Sequence, residues 1–175
     1  AGPPRAGRSD RRPRRGQGRG EIRPNLVRID RAHAAHFAFS ACATLEQVVA
    51  DCSEVALVHN ASQMLKDRAD DCASDKLRQV MQTNVIAVNT INQRLLPLLP
   101  GTSSVLYVGS TLAEKAVPGA FSYIVSKHAQ LGMMRATCQD LMGSGIHTAM
   151  ICPGFTDTEM LRAHLGNDPD IAAAV

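Results

Sequence analysis

The sequence predicts an α/β fold in which the strands of one sheet alternate with helices. Three short runs rich in strand formers, residues 55–58 (VALV), 104–108 (SVLYV) and 146–152 (IHTAMIC), carry that expectation. Between them lie two long helical stretches, 75–99 and 121–142. Each strand-like run stops at punctuation: His59-Asn60-Ala61-Ser62, Gly109-Ser110 and Pro153-Gly154. A chain of 175 residues with 45% hydrophobic content supports one domain with a real core, not two.

In chain order, residues 1–20 come first, with seven arginines, five glycines, three prolines and no apolar side chain larger than alanine. Such a stretch cannot bury enough surface to offset its ordering entropy, so residues 1–21 are expected to be a disordered Arg/Gly/Pro-rich tail. It also concentrates the charge: the overall +3 is +6 in residues 1–20 (seven arginines against Asp10) and −3 in the remainder (12 basic against 15 acidic residues). The arginines could hold an anionic surface or nucleic acid, but no aromatic residue interleaves them for base stacking, so a nucleic-acid partner is not expected. Residues 22–175 form the expected globular domain.

Residues 26–30 (LVRID) read as a strand with Asp30 at its tip, between Arg28 and Arg31, and residues 36–41 (HFAFSA) as a second short strand. Residues 44–52 read as a short helix with Thr44 as N-cap and Glu46 in the first turn, where a carboxylate suits the dipole. After the strand at 55–58, residues 64–71 are polar and read as a loop. The helix at 75–99 places Leu77, Val80, Met81, Val88, Ile91 and Leu95 at helical spacing, and Pro97 must kink or end it. The strand at 104–108 ends at Ser110, and residues 112–120 form a loop with Pro118-Gly119. From Phe121 to Met142 no proline intervenes; Tyr123, Lys127 and Leu131 share one helix face at i, i+4 and i+8. Pro153-Gly154 stop the last strand, after which Asp157-Thr158-Glu159 suit a helix start.

No run approaches the ~18 apolar residues of a membrane span. Five cysteines (42, 52, 72, 138 and 152) form no C-x-x-C pair, so reduced, mostly buried thiols and a cytoplasmic location are expected. His33 and His36 lie three apart with no Cys or carboxylate nearby to complete a set of ligands, and no metal is expected.

Chemistry concentrates between residues 104 and 127. A phenol and an ammonium on one helix face, opposite a strand-end hydroxyl, can make an acid/base site. A free tyrosine titrates near ~10, and bringing it to about 7 requires roughly 4 kcal/mol in favour of the phenolate. An ammonium about 4 Å away supplies ~1 kcal/mol in water and ~4 at an effective dielectric near 20, so the pair works only in a sheltered site. Taken alone, Tyr and Lys four apart on a helix are a common accident. The company they keep adds to them: Asn60-Ala61 at a strand end, Asn84 on a long apolar helix, and Pro153-Gly154 followed by Thr156 and Thr158.

This ordered set, spanning about residues 26–160, resembles the short-chain dehydrogenase/reductase (SDR) family. That family has an Asn-Asn-Ala-Gly strand end, a helical Asn, a strand-end Ser, Tyr-x-x-x-Lys and Pro-Gly-x-x-x-Thr in this order. The resemblance implies a partial Rossmann-type fold, a doubly wound parallel sheet in a three-layer α/β/α sandwich. It further implies an NAD(P)-dependent oxidoreductase acting on a small-molecule alcohol or carbonyl, assembled as a homodimer or homotetramer. Tyr123 would be the general acid/base, Ser110 would bond the reacting oxygen, and Lys127 would lower the tyrosine pKa and hold the nicotinamide ribose. Asn84 would order a relay water, although on its residues alone it could equally bond local backbone. Cofactor contacts would come from Asp30, Asn60, Ala61, Tyr123, Lys127, Pro153, Gly154, Thr156 and Thr158. Asp30 at the strand tip favours NAD over NADP, while Arg28 or Arg31 could instead accept a 2′-phosphate.

The sequence also departs from the family. His59 and Ser62 replace the first Asn and the Gly of the strand-end motif. Gly16-Gln17-Gly18-Arg19-Gly20 follows no strand and opens no helix, so it is not assigned as a phosphate loop. Against the family, residues 22–175 are expected to be an incomplete domain, lacking the N-terminal glycine-rich strand-turn and the C-terminal end. The rival reading is therefore a catalytically inactive fragment that cannot bind dinucleotide and acts only through helix-mediated association.

Overall fold

The structure, a computed structural model, describes residues 39–165. The tail, the strand expected at 26–30 with Asp30, and His33 and His36 lie outside the described residues. In order, the elements are α1 (Phe39–Ala50), β1 (Ala56–His59), α2 (Ser74–Met81), a π-helical turn (Gln82–Ile86), α3 (Ala87–Leu95), β2 (Ser104–Val108), α4 (Phe121–Asp140), β3 (His147–Ile151) and α5 (Glu159–Leu165).

The three strands form one parallel sheet in the order β1-β2-β3. Leu57 and His59 pair with Val105 and Tyr107, and these pair in turn with Thr148 and Met150. Parallel neighbours require crossovers, supplied here by the α2–α3 run and by α4. Right-handed crossovers that step in one direction put both helices on the same face. On that face Val105 and Tyr107 are fully buried, packed with Val49 of α1, Val88 and Leu95 of α3, and Leu99. Alternate residues point the other way, where Val58 and Ile151 remain half exposed. The parallel α/β class is therefore as expected, and α1, α3 and α4 supply one helix layer of the sandwich.

A polar chain runs through this core and ties four elements together. His59 Nε2 and Asn92 Oδ1 lie 2.7 Å apart. Asn92 Nδ2 donates to Tyr107 Oη at 2.8 Å, and Tyr107 Oη and Thr137 Oγ1 are 3.0 Å apart. Thr137 Oγ1 donates to the Met133 carbonyl at 2.9 Å, so Tyr107 is the donor to Thr137 and every step points one way. Burial lowers the His59 pKa, which keeps the ring neutral inside the chain of bonds.

Two local expectations are corrected. Residues Phe39–Ala41, read within a second short strand at 36–41, belong to α1. A short apolar run cannot be told from a buried helix segment by periodicity alone, and here helix propagation through 12 residues prevails. Thr44 is then a mid-helix residue and not an N-cap, and Glu46 pairs with Arg94 of α3 at 3.4 Å instead of meeting the helix dipole. The thiols are also more open than expected. Among the described residues, Cys52 and Cys72 are half-buried and Cys138 and Cys152 are exposed, because Cys138 lies on the outer side of α4 and Cys152 just beyond the end of β3.

Pro97 ends α3 as expected, through a 3-10 turn at Leu96–Leu98. The run from 74 to 95 is not uniform, however. Ala87 N–H reaches back five residues to Gln82 O, a π turn that carries Asn84, and such turns frequently mark functional sites. Gly145, just before β3, has φ +83°, and a Cβ there would collide with the Gly101 carbonyl, so the α4–β3 turn requires glycine.

The loop at 64–71 does more than connect. Helix α4 starts at Ala120, which has no side chain able to cap it. Asp67 fills that place from a distance: its Oδ1 accepts from Ser122 N at 3.0 Å, and its backbone bonds Gly119 O and Phe121 N, both at 3.2 Å. A carboxylate at a helix N-terminus satisfies an orphan donor and complements the dipole. Asp67→Ala is expected to lower unfolding free energy by about 1–2 kcal/mol in urea titration. No loss would show that the cap is dispensable.

Candidate active site

The carboxyl ends of the three strands and the first turns of α4 converge on one region. Val108, the last residue of β2, is followed by Gly109-Ser110. Gly109 N donates to Ile151 O at 2.8 Å, and a Cβ on Gly109 would lie 2.8 Å from Met150 Sδ, so any larger residue here would have to push the Met150 side chain aside. Thr111 N then donates to Pro153 O at 3.0 Å, which places the Pro153-Gly154 corner beside Ser110. Ser110 Oγ accepts from Leu112 N at 3.1 Å and so caps the 3-10 turn Thr111–Ala113. With that lone pair used, its own proton remains free to donate.

Tyr123, Lys127 and Leu131 are all buried along the inward stripe of α4, as the i, i+4, i+8 spacing predicts. Lys127 is 1% exposed, and its Nζ donates to Val108 O at 3.0 Å and Gln130 Oε1 at 2.9 Å. The same ammonium stands 5.4 Å from the centre of the Tyr123 ring. Burial pulls the Lys127 pKa down to about 8, opposed by the nearby Cys152 thiol. Burial likewise pushes the Tyr123 phenol above its ordinary 10, while the Ser110 and Ser62 hydroxyls pull it back. Ser62 Oγ achieves this without a completed hydrogen bond: it is buried and has no partner.

Asn84 is fully buried and its amide makes three hydrogen bonds. Oδ1 accepts from Gln63 N at 2.7 Å, while Nδ2 donates to Gln63 O at 2.9 Å and to Ser126 Oγ at 2.8 Å. Ser126 Oγ in turn donates to Tyr123 O at 2.7 Å. The side chain thus clamps the loop after β1 onto the turn of α4 that carries Tyr123.

Ser110, Tyr123, Lys127 and Asn84 are therefore brought together, with Asn60 and Ala61 at the end of β1 immediately before Ser62. Thr156 and Thr158 lie on the exposed segment after β3. Thr156 Oγ1 bonds Gly154 O at 3.4 Å, and Thr158 Oγ1 accepts from Leu161 N at 3.3 Å, capping α5. The helix start read at Asp157-Thr158-Glu159 is thus real, and Asp157 adds a bidentate ion pair with Arg162 at 2.6 Å. Two buried participants had not been singled out for this site. Gln130 shares the Lys127 face three residues on, a spacing the sequence does contain. Ser62 had registered only as a residue in place of a glycine.

The donor set suits the ribose and nicotinamide end of a dinucleotide: an ammonium at the β2 end, an orphan buried hydroxyl at the β1 end, and room for a Cβ or a ligand around Gly154. Among the described residues no group of three His, Cys, Asp or Glu side chains could hold a metal ion, and no helix is long and apolar enough to cross a membrane.

A family model for short chain dehydrogenases matches residues 29–168. The 3-oxoacyl-(acyl-carrier-protein) reductase of rhamnolipid biosynthesis from Pseudomonas aeruginosa is 32% identical over 125 residues, covering 67% of this chain and 48% of that protein. The uncharacterized oxidoreductase YusZ of Bacillus subtilis is 29% identical over 119 residues, covering 67% of this chain and 42% of that protein. The chain spans less than half the length of either. Among solved structures, gluconate 5-dehydrogenase from Burkholderia cenocepacia superposes with a TM-score of 0.70 at 23% identity, covering 82% of this chain and 54% of that one. A protein described as a short chain dehydrogenase, from Escherichia coli CFT073 in complex with NADPH, gives 0.65 at 25% identity, covering 75% and 57%.

Proposed function

The chain belongs to the short-chain dehydrogenase family, and we propose that its strand-end site is that of an NAD(P)-dependent oxidoreductase interconverting a small-molecule alcohol and carbonyl. What supports the reading is the placement around the β2 end of Ser110, two residues past the strand, and of Lys127, whose Nζ bonds Val108 O at 3.0 Å and stands 5.4 Å from the Tyr123 ring. A nicotinamide cofactor, when bound, supplies the hydride. The chain's own groups handle the proton and the position. Tyr123 Oη gives its proton to the carbonyl oxygen, or takes it from the alcohol. Ser110, already oriented by Leu112 N, donates to the same oxygen and stabilises the charge that develops there.

Lys127, held by Val108 O and Gln130, presents a cation to the phenolate and to a ribose hydroxyl. Asn84 acts here as a support for the Gln63 loop and for Tyr123, and ordering of a relay water beside it belongs to the same proposal. The Asn60, Ala61, Pro153, Gly154, Thr156 and Thr158 contacts to cofactor do so too, as do a homodimer or homotetramer and a cytoplasmic location. NADP-bound relatives support a nicotinamide dinucleotide generally; Asp30, on which a preference for NAD rests, lies outside the described residues. The relatives whose names give a substrate, such as the 3-oxoacyl-(acyl-carrier-protein) reductase and gluconate 5-dehydrogenase, share no common scaffold, so the substrate is proposed only as an alcohol or carbonyl compound.

Fluorescence titration with NADPH and NADH tests the proposal. Saturable binding near micromolar is expected for at least one of them. No binding at millimolar concentration would overturn the reading in favour of a fragment that acts by association alone.

A further inference from the structure

We propose that Ser62 is a positioning residue for the Tyr123 phenol, holding its oxygen from the β1 side of the site while Ser110 serves the β2 side. Its consequence for turnover rests on the oxidoreductase reading above; its starting point is a buried hydroxyl left without a partner beside the Asn84 clamp. Ser62 is 8% exposed and its Oγ has no hydrogen-bond partner. Burying a hydroxyl unpaired is costly, so a residue of this kind at a strand end calls for a bond made in another protonation state of its neighbour.

The neighbour is fixed by the surrounding frame. Asn84 grips Gln63, the next residue, through both backbone groups at 2.7 and 2.9 Å, and holds Ser126 at 2.8 Å. Ser126 bonds the Tyr123 carbonyl at 2.7 Å. The backbone next to Ser62 and the backbone of Tyr123 are therefore tied to one clamp, which holds the loop that carries the orphan hydroxyl against the turn that carries the phenol. The Ser62 hydroxyl acts on the phenol in the direction that favours its ionised form, alongside Ser110.

Proton supply makes the second serine useful. A hydroxyl has one proton to donate, and Ser110 spends it on the reacting oxygen when it stabilises the charge there. The phenolate that remains after proton transfer then needs another donor, and Ser62 O–H is the buried, uncommitted one. Its bond to a phenolate is charge-assisted and stronger than its contact with the neutral phenol. No covalent bond forms or breaks in this step; the Ser62 proton is shared, not transferred.

The test uses the whole chain labelled with carbon-13 at tyrosine Cζ. The sequence has only two tyrosines, Tyr107 and Tyr123, so the Tyr123 signal is assigned by its loss in Tyr123→Phe, and Tyr107 reports on the fold. Ser62→Ala and Ser62→Gly are expected to move the Tyr123 signal near neutral pH and to shift its titration to higher pH, with Tyr107 unmoved. Ser62→Thr, which keeps the hydroxyl, restores both. A Tyr123 signal unchanged in Ser62→Ala and Ser62→Gly overturns the proposal, as does one that moves only together with Tyr107 or is not restored by Thr. These shifts in a chain that binds no dinucleotide would sink the oxidoreductase reading and leave the Ser62 contact standing.

Discussion

Tyr123→Phe is expected to reduce NADPH-dependent reduction of a ketone panel by about 10²- to 10⁴-fold, the range that positioned acid/base groups contribute. The change removes one oxygen from a ring that stays buried, so the apolar packing of α4 is kept. Ser110 retains its bond from Leu112 N, and Asn84 still holds Ser126, whose hydroxyl bonds Tyr123 through the backbone carbonyl and not the side chain. Removing the phenol oxygen should cost about 1 kcal/mol of stability or less. Dinucleotide binding should persist, because the Lys127 ammonium is held independently of the phenol. Turnover equal to that of the unaltered chain would remove Tyr123 from its role, whereas lost turnover with dinucleotide binding retained would support it.

How much of this was legible depends on the range of the interactions. The two long helices and three strands were readable because their patterns are local: Leu77, Val80 and Val88 repeat at helical spacing, and Tyr123, Lys127 and Leu131 fall on one stripe whatever packs against them. Ser110 was readable for the same reason, as the first polar residue past a buried strand. The π turn around Asn84 was not, since no residue type at 82–86 demands a five-residue bond; the turn comes with the tertiary grip of Asn84 on Gln63. Asp67 as the cap of α4 could not be read either, because cap and helix are 55 residues apart in the sequence. The helix at 39–41 was misread because an apolar hexapeptide fits a strand and a buried helix alike. Ser62 carries a signal in hindsight: a hydroxyl just past a strand end is a candidate donor, not merely a stiffer glycine.

Lys127 gives the second large effect, and it separates function from stability. Its folded pKa of about 8 lies below the ordinary 10.5 of the unfolded chain, because burial disfavours the ammonium. Below pH 8 both states are protonated, and the folded chain carries the full cost of the buried charge, about 3 kcal/mol. Between pH 8 and 10.5 the unfolded state binds more protons than the folded one, so stability rises with pH relative to a chain without this group. Above 10.5 both states are neutral and the cost is gone. Lys127→Met removes this titration along with the bonds to Val108 O and Gln130 Oε1. Subtracting its urea-unfolding free energy from that of the unaltered chain should give a difference that climbs by up to about 3 kcal/mol across pH 8–10.5 and is flat below it. The difference is read below the ordinary tyrosine value of 10, where the Tyr123 phenol, itself pushed upward by burial, stays protonated with or without the neighbouring cation. Turnover should fall by about 10²-fold or more over the same samples. A flat difference would mean that the amine keeps its ordinary affinity for protons. A steep difference with full activity would mean that the cation is buried without serving the phenol, which no packing advantage would explain, because methionine fills the same space without the charge.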